Sequence, residues 1–422
     1  MKNIFIKFVN IFILFFVVIT SFNYSFGDDY LEDNTVVDVS AEISETLAQT
    51  DDNLDASSIN SRSCIVYDRN SHMTLYGKNE KKQVKMASTT KIMTSLIIIE
   101  NCDLSETIEV SKKAAGTGGS RLGLKIGDKI TIKDLLYGLM LCSGNDAAVA
   151  LAEHAGGDIQ GFAELMNKKA SELGLANTHY ESPHGLDSDG HYTTAYELAI
   201  LTDYALKNET FSKIVGTKNY TVTINGYPKN LSNTNELLGN LNGVYGVKTG
   251  FTNGANRCLV TACKRDSMDI ICVVLGADTK NFRTQDSIKL IEYAFKNFTY
   301  ANANEIASNS FQNWKEENLK YLNINKSSST SFEFEVETCE NPILSVKKSD
   351  IDNIETFITI NSDLEAPILS NTVIGSLTLS LDDKTLISLN IINSKDINRK
   401  DITYYLNYFF TNYFNILEQV LE

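Results

Sequence analysis

Three short motifs in this 422-residue sequence carry side chains suited to acyl-transfer chemistry. They are STTK at positions 88–91, SGN at 143–145 and KTG at 248–250, in that order along the chain. Each motif alone is a weak signal, because Ser-x-x-Lys also occurs at positions 345–348. Together they supply a hydroxyl nucleophile, an amine base, an amide and a fixed positive charge. The set therefore predicts a serine nucleophile that is activated by a lysine.

The first motif supplies the candidate nucleophile Ser88 and the candidate base Lys91. No Gly or Pro follows Ala87 in the segment MASTTKIMTSLIIIEN, and its apolar positions predict a buried helix with Ser88 in the first turn. Free N–H groups in a first turn favour a developing negative charge. Lys91 should lie one turn further along the same face. Burial should lower the pKa of its amine, so that it can accept the Ser88 proton.

The second motif connects two predicted helices, TIKDLLYGLML before it and DAAVALAEHA after it. Side chains on such a tight connection can project into a cleft. Ser143 can then relay a proton between Lys91 and the leaving group, and Asn145 can hold a substrate amide. The alternative is that Ser143 and Asn145 only cap a helix.

The third motif lies in the strand-like run NGVYGVKTGFT. Lys248 supplies a fixed positive charge, which should lower the pKa of Lys91 further if the two amines face each other. The Thr249 hydroxyl can contact a carboxylate, and Gly250 allows a substrate backbone to approach the strand edge. The motif is therefore predicted to bind the substrate.

The patterning around these motifs indicates an α/β (α+β) fold with helices packed on a mainly antiparallel sheet. Residues 59–298 mix strand-like runs such as ICVVLGA with helical runs such as KIMTSLIIIEN, which predicts one catalytic domain. Residues 299–398 are rich in short alternating runs such as FEFEVE and GSLTLSL, which predict a small all-β domain without a long helix.

The two ends of the chain predict export and contact with a membrane surface. Residues 1–27 have the basic, apolar and small segments of a signal peptide, with an uncleaved single-span anchor as the alternative. Residues 28–58 contain ten acidic residues and no Lys or Arg, which predicts a disordered spacer. Residues 399–422 predict an amphipathic helix rich in Phe and Tyr that anchors at the membrane interface or, alternatively, packs on its own domain or a partner. The expected location is the outer face of the cytoplasmic membrane, in the cell wall space.

The net charge of −15 and the pI of about 4.9 argue against nucleic-acid binding, which requires a basic surface. The acidity is uneven along the chain. Residues 59–298 contain 27 Lys and Arg residues and 25 Asp and Glu residues, so the predicted catalytic domain is slightly basic. This balance suits the capture of a small carboxylate.

With these motifs the chain resembles the low-molecular-mass penicillin-binding proteins that are D-alanyl-D-alanine carboxypeptidases, over roughly residues 59–298. Further matching stretches are GSRLGLKIGDKITIKDLLYGLMLCSGNDAAVALAEHAGG, SPHGLDSDGHYTTAYELA and NTNELL. The resemblance implies hydrolysis of peptidoglycan stem peptides that end in D-Ala-D-Ala, covalent inhibition by β-lactams, and no cofactor. Endopeptidase or transpeptidase activity of the same family is the alternative reading.

The resemblance also implies a role for each site residue. Ser88 is the acylated nucleophile and Lys91 its general base, and the backbone N–H groups of Ser88 and Phe251 form the oxyanion hole. Ser143 and Asn145 form the second element of the site, and Lys248, Thr249 and Gly250 the third. Arg283 helps to hold the terminal carboxylate, and Glu236 stands where members of the family carry a basic residue.

Three other functions are less well supported by the residues. A β-lactamase with this motif set uses a Glu-x-x-Leu-Asn loop, which this sequence lacks. A metal site could use His184, Asp187, Asp189 and His191, but the segment lacks the full ligand pattern of a calcium loop and the chain has no HExxH motif. A non-catalytic wall-binding protein would not be expected to keep Ser88, Lys91 and Lys248. Cys142 is interpreted as a buried apolar residue.

Overall fold

The computed structural model describes residues 43, 44, 46 and 54–421, with side chains up to position 416 in the last helix. The predicted signal peptide at 1–27 lies outside the described residues, and so do 23 of the 31 residues of the predicted spacer at 28–58. The described chain forms two compact units. One contains the described residues up to Tyr67 together with Tyr76–Tyr293, and the other contains Asp68–Leu75 and the residues from Ala294 onward.

The first unit is built around a sheet. Its strands are β1 (Ser63–Asp68), β2 (Thr74–Lys78), β3 (Thr107–Glu109), β4 (Lys129–Thr131), β5 (Asn219–Ile224), β6 (Tyr227–Ser232), β7 (Val244–Thr252), β8 (Asn256–Arg265) and β9 (Met268–Ala277). Five of them form a sheet of order β2-β1-β9-β8-β7, in which β7, β8 and β9 are antiparallel neighbours. All ten residues of β9 are buried, as expected for a strand that is covered on both faces.

Helices cover this sheet. They are α1 (Lys91–Asn101), α2 (Lys112–Ala115), α3 (Ile132–Leu141), α4 (Asn145–Gly156), α5 (Ile159–Glu172), α6 (Ala195–Leu206), α7 (Glu209–Val215) and α8 (Lys280–Asn297). Eight residues of α1 and eight of α3 are buried, so both helices belong to the core. Thr131 caps α3, because its hydroxyl accepts the Asp134 N–H at 3.1 Å. The predicted fold class, helices on a mainly antiparallel sheet, is confirmed.

The second unit contains the predicted short strands. They are β10 (Phe298–Asn302), β11 (Phe334–Val336), β12 (Ile343–Lys347), β13 (Glu355–Ile360), β14 (Val373–Leu381) and β15 (Lys384–Asn393). Four of them form an antiparallel sheet of order β11-β15-β14-β13, and β10 pairs with β12. The turn after β1 also belongs to this unit, where the Tyr300 hydroxyl donates to the Asp68 carboxylate at 2.6 Å.

The second unit also contains a helix, α9 (Ala303–Asn318), which the strand-like patterning did not predict. Asn302 caps it by accepting the Glu305 N–H at 3.2 Å. Only Ala303, Ala307 and Phe311 are buried on the helix, each four residues after the one before. Such a narrow apolar stripe in an otherwise polar segment gives too weak a periodicity to indicate a helix. The expectation of a β-rich domain without a long helix was therefore wrong in this respect.

The chain ends in helix α10 (Ile402–Leu421), as the spacing of its apolar residues predicts. Nine of the apolar side chains described on it are between 51% and 78% exposed, and Tyr404 is partly exposed; the nine are Ile402, Tyr405, Leu406, Tyr408, Phe409, Phe410, Tyr413, Phe414 and Ile416. No helix within the described residues is long and apolar enough to cross a membrane.

Candidate active site

Ser88 lies in a short 3-10 turn, Ala87–Thr90, that leads directly into helix α1. Ala87 has a φ of +49°, an uncommon left-handed conformation for a residue with a side chain. The Thr90 hydroxyl donates to the Ala87 carbonyl at 2.8 Å and so holds this turn closed. Ser88 itself is 6% exposed, which means that its hydroxyl is largely shielded from bulk water.

Lys91 is fully buried and its amine lies against Ser88. The Nζ atom is 2.8 Å from Ser88 Oγ, 2.7 Å from Asn145 Oδ1 and 2.9 Å from the His184 carbonyl oxygen. The amide and carbonyl oxygens only accept hydrogen bonds, whereas the Ser88 hydroxyl can also donate. A neutral amine with two N–H groups and one lone pair fits these three partners, because it can donate to two of them and accept the Ser88 proton.

Asn145 is the first residue of helix α4, and its amide joins two parts of the site. Its Nδ2 donates to the Gly118 carbonyl at 2.8 Å, which orients Oδ1 towards Lys91. Its backbone N–H donates to the Ser120 carbonyl, also at 2.8 Å. Asn145 therefore holds the lysine and the loop around residues 118–124 at the same time.

Asp146, which the sequence analysis did not single out, anchors the same loop. Its buried carboxylate accepts the backbone N–H groups of Leu122, Gly123 and Leu124 at 2.7, 2.7 and 2.9 Å. A carboxylate with several backbone donors organises a loop strongly, because each charge-assisted bond is stronger than a neutral one. The position of an acidic residue directly after SGN was the available signal.

Ser143 lies on the connection between α3 and α4 in a left-handed conformation, with a φ of +58°. It is 2% exposed, and among the described residues its Oγ has no hydrogen-bond partner. The resting structure therefore does not link Ser143 to Lys91. A buried hydroxyl without a partner is costly and retains full capacity to bond to an incoming group.

The KTG residues lie on β7, beside the Ser88 turn. Lys248 is 1% exposed and its Nζ donates to the Thr249 carbonyl at 2.8 Å, and the Thr249 and Thr234 hydroxyls are 2.7 Å apart. A Cβ added to Gly250 would stand 3.0 Å from the Ser88 nitrogen. The lack of a side chain at Gly250 thus accommodates the turn that carries the nucleophile, not only a substrate backbone as the sequence analysis expected.

Phe251 follows Gly250 on β7 and pairs with Arg257 of β8. The Arg257 guanidinium carbon lies 3.7 Å from the centre of the Phe251 ring, within the range of a cation–π contact. The backbone of Phe251 is thus one residue from the point where β7 meets the Ser88 nitrogen. This brings together the two residues whose N–H groups are expected to form the oxyanion hole.

Arg283 lies in the first turn of α8, inside the helix, and is 4% exposed. Its guanidinium forms an ion pair with Glu236, whose same oxygen also accepts the Thr284 hydroxyl at 2.6 Å. Burial alone would raise the pKa of the Glu236 carboxyl, but Arg283 and the hydrogen bond from Thr284 hold it below its usual value. The predicted carboxylate-binding arginine therefore already faces a carboxylate of the protein itself.

A cleft of about 470 Å³ lies beside the KTG strand and Arg283. It is lined by Ser120, Cys142, Asn233, Thr234, Glu236, Thr249, Gly250, Phe251, Arg257, Lys280 and Arg283. Ser88, Lys91, Ser143, Asn145 and Lys248 are not among its lining residues. Three cationic side chains and one carboxylate line it, so the cleft is net positive. A small anionic ligand is the chemistry that it suits.

The SPHGL segment forms the wall on the other side of Lys91, a function that the sequence analysis did not assign to it. Gly185 has a φ of +85°, and an added Cβ would lie 2.0 Å from the Ala87 carbonyl oxygen. His191 Nδ1 accepts the Glu181 N–H, so its Nε2 carries the proton and is 2.8 Å from Thr90 Oγ1.

The partly buried His184 and the buried His191 both remain neutral at physiological pH. Burial, together with Lys91, lowers the pKa of His184 to about 3, and burial is the main cause that lowers the pKa of His191 to about 4. Neither imidazole can therefore serve as a base that titrates near pH 7. Their contribution to the site is structural.

The acidic residues of the same segment have separate partners. Asp187 accepts the Thr252 hydroxyl at 2.7 Å and the Gly254 N–H at 2.8 Å, which ties the segment to the end of β7. Asp189 is exposed and lies 3.5 Å from the Lys85 amine. Within the residues that the structure describes, no cluster of three or more potential ligands is arranged around a metal ion.

Cys142 lies next to Ser143 and lines the cleft. Its Sγ donates to the Gly138 carbonyl at 3.1 Å, and burial raises the pKa of the thiol to about 11. The thiolate that a nucleophile requires is therefore scarce at neutral pH. None of the seven cysteines, all of which are described, forms a disulfide.

Comparisons with known families identify the family of the chain. Residues 48–279 match the family described as D-alanyl-D-alanine carboxypeptidase, and residues 315–399 match the one described as the C-terminal domain of penicillin-binding protein 5. The chain is 34% identical to the D-alanyl-D-alanine carboxypeptidase DacF of Bacillus subtilis, over 79% of this chain and 85% of the relative. It is 38% identical to a D-alanyl-D-alanine carboxypeptidase of Streptomyces sp. strain K15, over 53% and 82%.

Solved structures give the same result for the fold. The crystal structure of the D-alanyl-D-alanine carboxypeptidase DacD from Francisella tularensis superposes with a TM-score of 0.69 at 26% identity, over 81% of this chain and 94% of that one. Penicillin-binding protein 5 from Haemophilus influenzae superposes with a TM-score of 0.63 at 26% identity, over 82% and 100%. Both similarities extend beyond the catalytic unit of this chain.

Proposed function

The chain belongs to the D-alanyl-D-alanine carboxypeptidase family of penicillin-binding proteins, and from that premise we propose how its own residues carry out the hydrolysis. It is a serine-type enzyme that acts on D-Ala-D-Ala. Ser88 is the proposed nucleophile and Lys91 the proposed base. The observation that carries the proposal is the 2.8 Å contact between Lys91 Nζ and Ser88 Oγ inside a buried set of acceptors.

Acylation begins when neutral Lys91 accepts the Ser88 proton. Ser88 Oγ then forms a bond to the carbonyl carbon of the penultimate D-Ala, and the bond from that carbon to the terminal D-Ala nitrogen breaks. Lys91 returns its proton to the leaving amine through Ser143. The unpartnered Oγ of Ser143 supports this relay, because it is free to bond to both sides once the substrate is bound.

Charge on the carbonyl oxygen is stabilised by the N–H groups of Ser88 and Phe251. The Ser88 nitrogen faces β7 at Gly250, where an added Cβ would be only 3.0 Å away. Two preorganised donors in a water-excluded site lower the barrier of acyl transfer substantially. The contact between β7 and the Ser88 turn is therefore part of the proposed oxyanion hole.

The terminal carboxylate of the substrate binds in the cationic cleft. Lys248, Thr249 and Arg283 are the proposed contacts, of which Thr249 and Arg283 line the cleft. Asn145 is proposed to hold a substrate amide. Water then hydrolyses the acyl-enzyme and releases the shortened peptide. A β-lactam would acylate Ser88 in the same way, and slow hydrolysis of that adduct is expected because the sequence lacks the Glu-x-x-Leu-Asn loop.

Release of D-Ala from a pentapeptide stem by the purified enzyme tests the reaction. We expect stoichiometric D-Ala and tetrapeptide, with little cleavage of a cross-linked dimer offered at the same concentration. Chelation should not change the rate, because the proposed machinery contains no metal ligand. Preferential cleavage of the dimer would instead favour an endopeptidase, and loss of activity on chelation would contradict the serine mechanism.

For the location of the enzyme we propose export through the signal peptide at 1–27, followed by the spacer at 28–58, so that the catalytic domain at 59–298 and the β-rich domain at 299–398 lie in the cell wall space. The family acts on peptidoglycan, which lies outside the cytoplasmic membrane. Mass spectrometry of the protein from intact cells should show an N-terminus near position 28. A product that still begins at Met1 would contradict cleavage.

Helix α10 is the proposed membrane contact. Apart from the partly exposed Tyr404, its described aromatic side chains are more than half exposed, and burying a Phe in an apolar phase contributes roughly 1.5–3 kcal/mol. The only basic residues near it are Arg399 and Lys400, so binding should depend on apolar burial and not on anionic lipid. This distinguishes it from an electrostatic anchor.

Vesicle flotation tests this contact. The mature full chain should float with neutral phosphatidylcholine vesicles at both low and high salt, and a Phe409→Ser, Phe410→Ser double variant should bind at least about tenfold more weakly. Tyr321→Ser is the matched control, because Tyr321 is 78% exposed on the same unit but outside the helix. Equal binding by the double variant and the control would show that α10 does not carry the contact.

A further inference from the structure

Glu236 is the one carboxylate among the cleft-lining residues, and it faces the arginine that should bind the substrate. Its side chain is 12% exposed and that of Arg283 5% exposed, so the pair is shielded from bulk water. Charges in such a setting interact more strongly than on the surface, because water screens them less. The state of this pair therefore affects any anion that enters the cleft.

The hydrogen bonding of the pair is unequal. One oxygen of Glu236 accepts both the Arg283 guanidinium and the Thr284 hydroxyl, while the other oxygen is buried and has no partner among the residues that the structure describes. The same holds for the buried Nε of Arg283. A carboxylate and a guanidinium usually meet through two parallel hydrogen bonds. This pair has only one, so it does not use the full capacity of either group.

A second ion pair in the same unit is bonded more completely. Arg265 donates to both oxygens of Glu292, with a distance of 2.8 Å for Nη1 to Oε2, and neither residue lines the cleft. Its side chains are 19% and 17% exposed. The comparison indicates that incomplete pairing is not a general feature of buried arginines in this chain.

We propose that Glu236 is a specificity-determining residue: it occupies Arg283 in the resting enzyme and competes with the terminal carboxylate of the substrate. The inference rests on the proposed function of the cleft. An incoming carboxylate must share or displace this partner and is repelled by its charge, so the enzyme binds the free acid less tightly than the cationic side chains alone would allow. The Thr234 and Thr249 hydroxyls, 2.7 Å apart, supply the uncharged part of the recognition.

Substitution of Glu236 by Gln tests the proposal, since Gln keeps the shape of the side chain and removes its charge. For a pentapeptide that ends in D-Ala-D-Ala we expect the KM of E236Q to fall by about tenfold or more, the lower end of the range for one charge-assisted contact. For the same peptide with a C-terminal amide, the KM should change less than about twofold. The matched control E292Q should lower the thermal stability and leave both KM values unchanged.

Two results would overturn the proposal. One is a rise in KM for the free acid, because Glu236 would then position Arg283 for the substrate and not compete with it. The other is an equal change in KM for the acid and the amide, because Glu236 would then not affect recognition of the terminal carboxylate. If E236Q does not fold, Glu236→Ala answers the same question.

Acylation by benzylpenicillin and by its uncharged methyl ester, followed by intact mass, gives a second readout that does not require peptide turnover. E236Q should accelerate acylation by the acid relative to the ester. Absence of D-Ala release from wild type would contradict the proposed function. An unchanged acid-to-ester ratio in E236Q would contradict only the role of Glu236.

Discussion

Replacing Ser88 by Ala is expected to abolish both D-Ala release and the mass adduct that penicillin forms with the wild-type enzyme. The loss in kcat should be at least about 10³-fold, because only binding and the oxyanion donors remain when a nucleophile is removed. Ser88 is 6% exposed and its hydroxyl makes a 2.8 Å contact that a methyl group cannot replace. Intact-mass analysis after incubation with penicillin measures the adduct directly, and a peptide assay measures the rate.

The chain provides a matched control for this substitution. Ser345 also begins a Ser-x-x-Lys sequence and is 4% exposed, but it lies on strand β12 and its hydroxyl contacts Ser71 at 2.7 Å. The Lys348 amine donates instead to the Phe295 and Lys296 carbonyls. Ser345→Ala should keep the adduct and the activity. An adduct that persists in Ser88→Ala would remove Ser88 from the role of nucleophile.

Replacing Lys91 by Met should have the second-largest effect. Met fills a similar volume but has no amine, so acylation by peptide and by penicillin should slow by about 10²- to 10⁴-fold, the usual contribution of a positioned base. The reason is geometric: Nζ is the group within hydrogen-bond distance of Ser88 Oγ that can take its proton. Stopped-flow or quenched acylation kinetics measure this step without interference from deacylation.

The Lys91→Met variant also leaves Asn145 Oδ1 and the His184 carbonyl without the amine that they accept from. Each unsatisfied buried acceptor costs roughly 1–3 kcal/mol, so the melting temperature should fall as well. Lys169→Met is the control for a general loss of stability, because Lys169 is a partly buried lysine paired with Glu100 at 2.8 Å, and it should keep normal acylation rates. An acylation rate in Lys91→Met equal to that of Lys169→Met would show that another group is the base.

Much of the site could be predicted from the sequence, because its motifs depend on local geometry. Ser88 and Lys91 are three residues apart on the 3-10 turn that leads into α1, so their contact is local and follows from the i, i+3 spacing. Long apolar runs predicted α1, α3 and β9, most of whose residues are buried. The prediction of a helix in the last segment also used local information, because its apolar residues recur at the helical spacing seen in α10.

Contacts between distant parts of the chain could not be predicted from the pattern of apolar and polar residues. The partners of Lys91 other than Ser88 come from 54 and 93 residues further along the sequence. Helix α9 was missed because only three of its residues are buried. Metal binding by the SPHGLDSDGHY segment was only weakly supported by the sequence. In the fold Asp187, Asp189 and His191 each contact a different side chain.

The types of the residues and their spacing within single elements were enough to predict the reactive groups and their order along the chain. They also predicted most of the helices and strands that carry these groups. Tertiary structure alone decided that Gly250 makes room for the Ser88 turn and that the Arg283 guanidinium meets Glu236, 47 residues away. The physical reason is that the ionic and steric partners of a buried group are set by packing between elements, and no periodicity within an element encodes them.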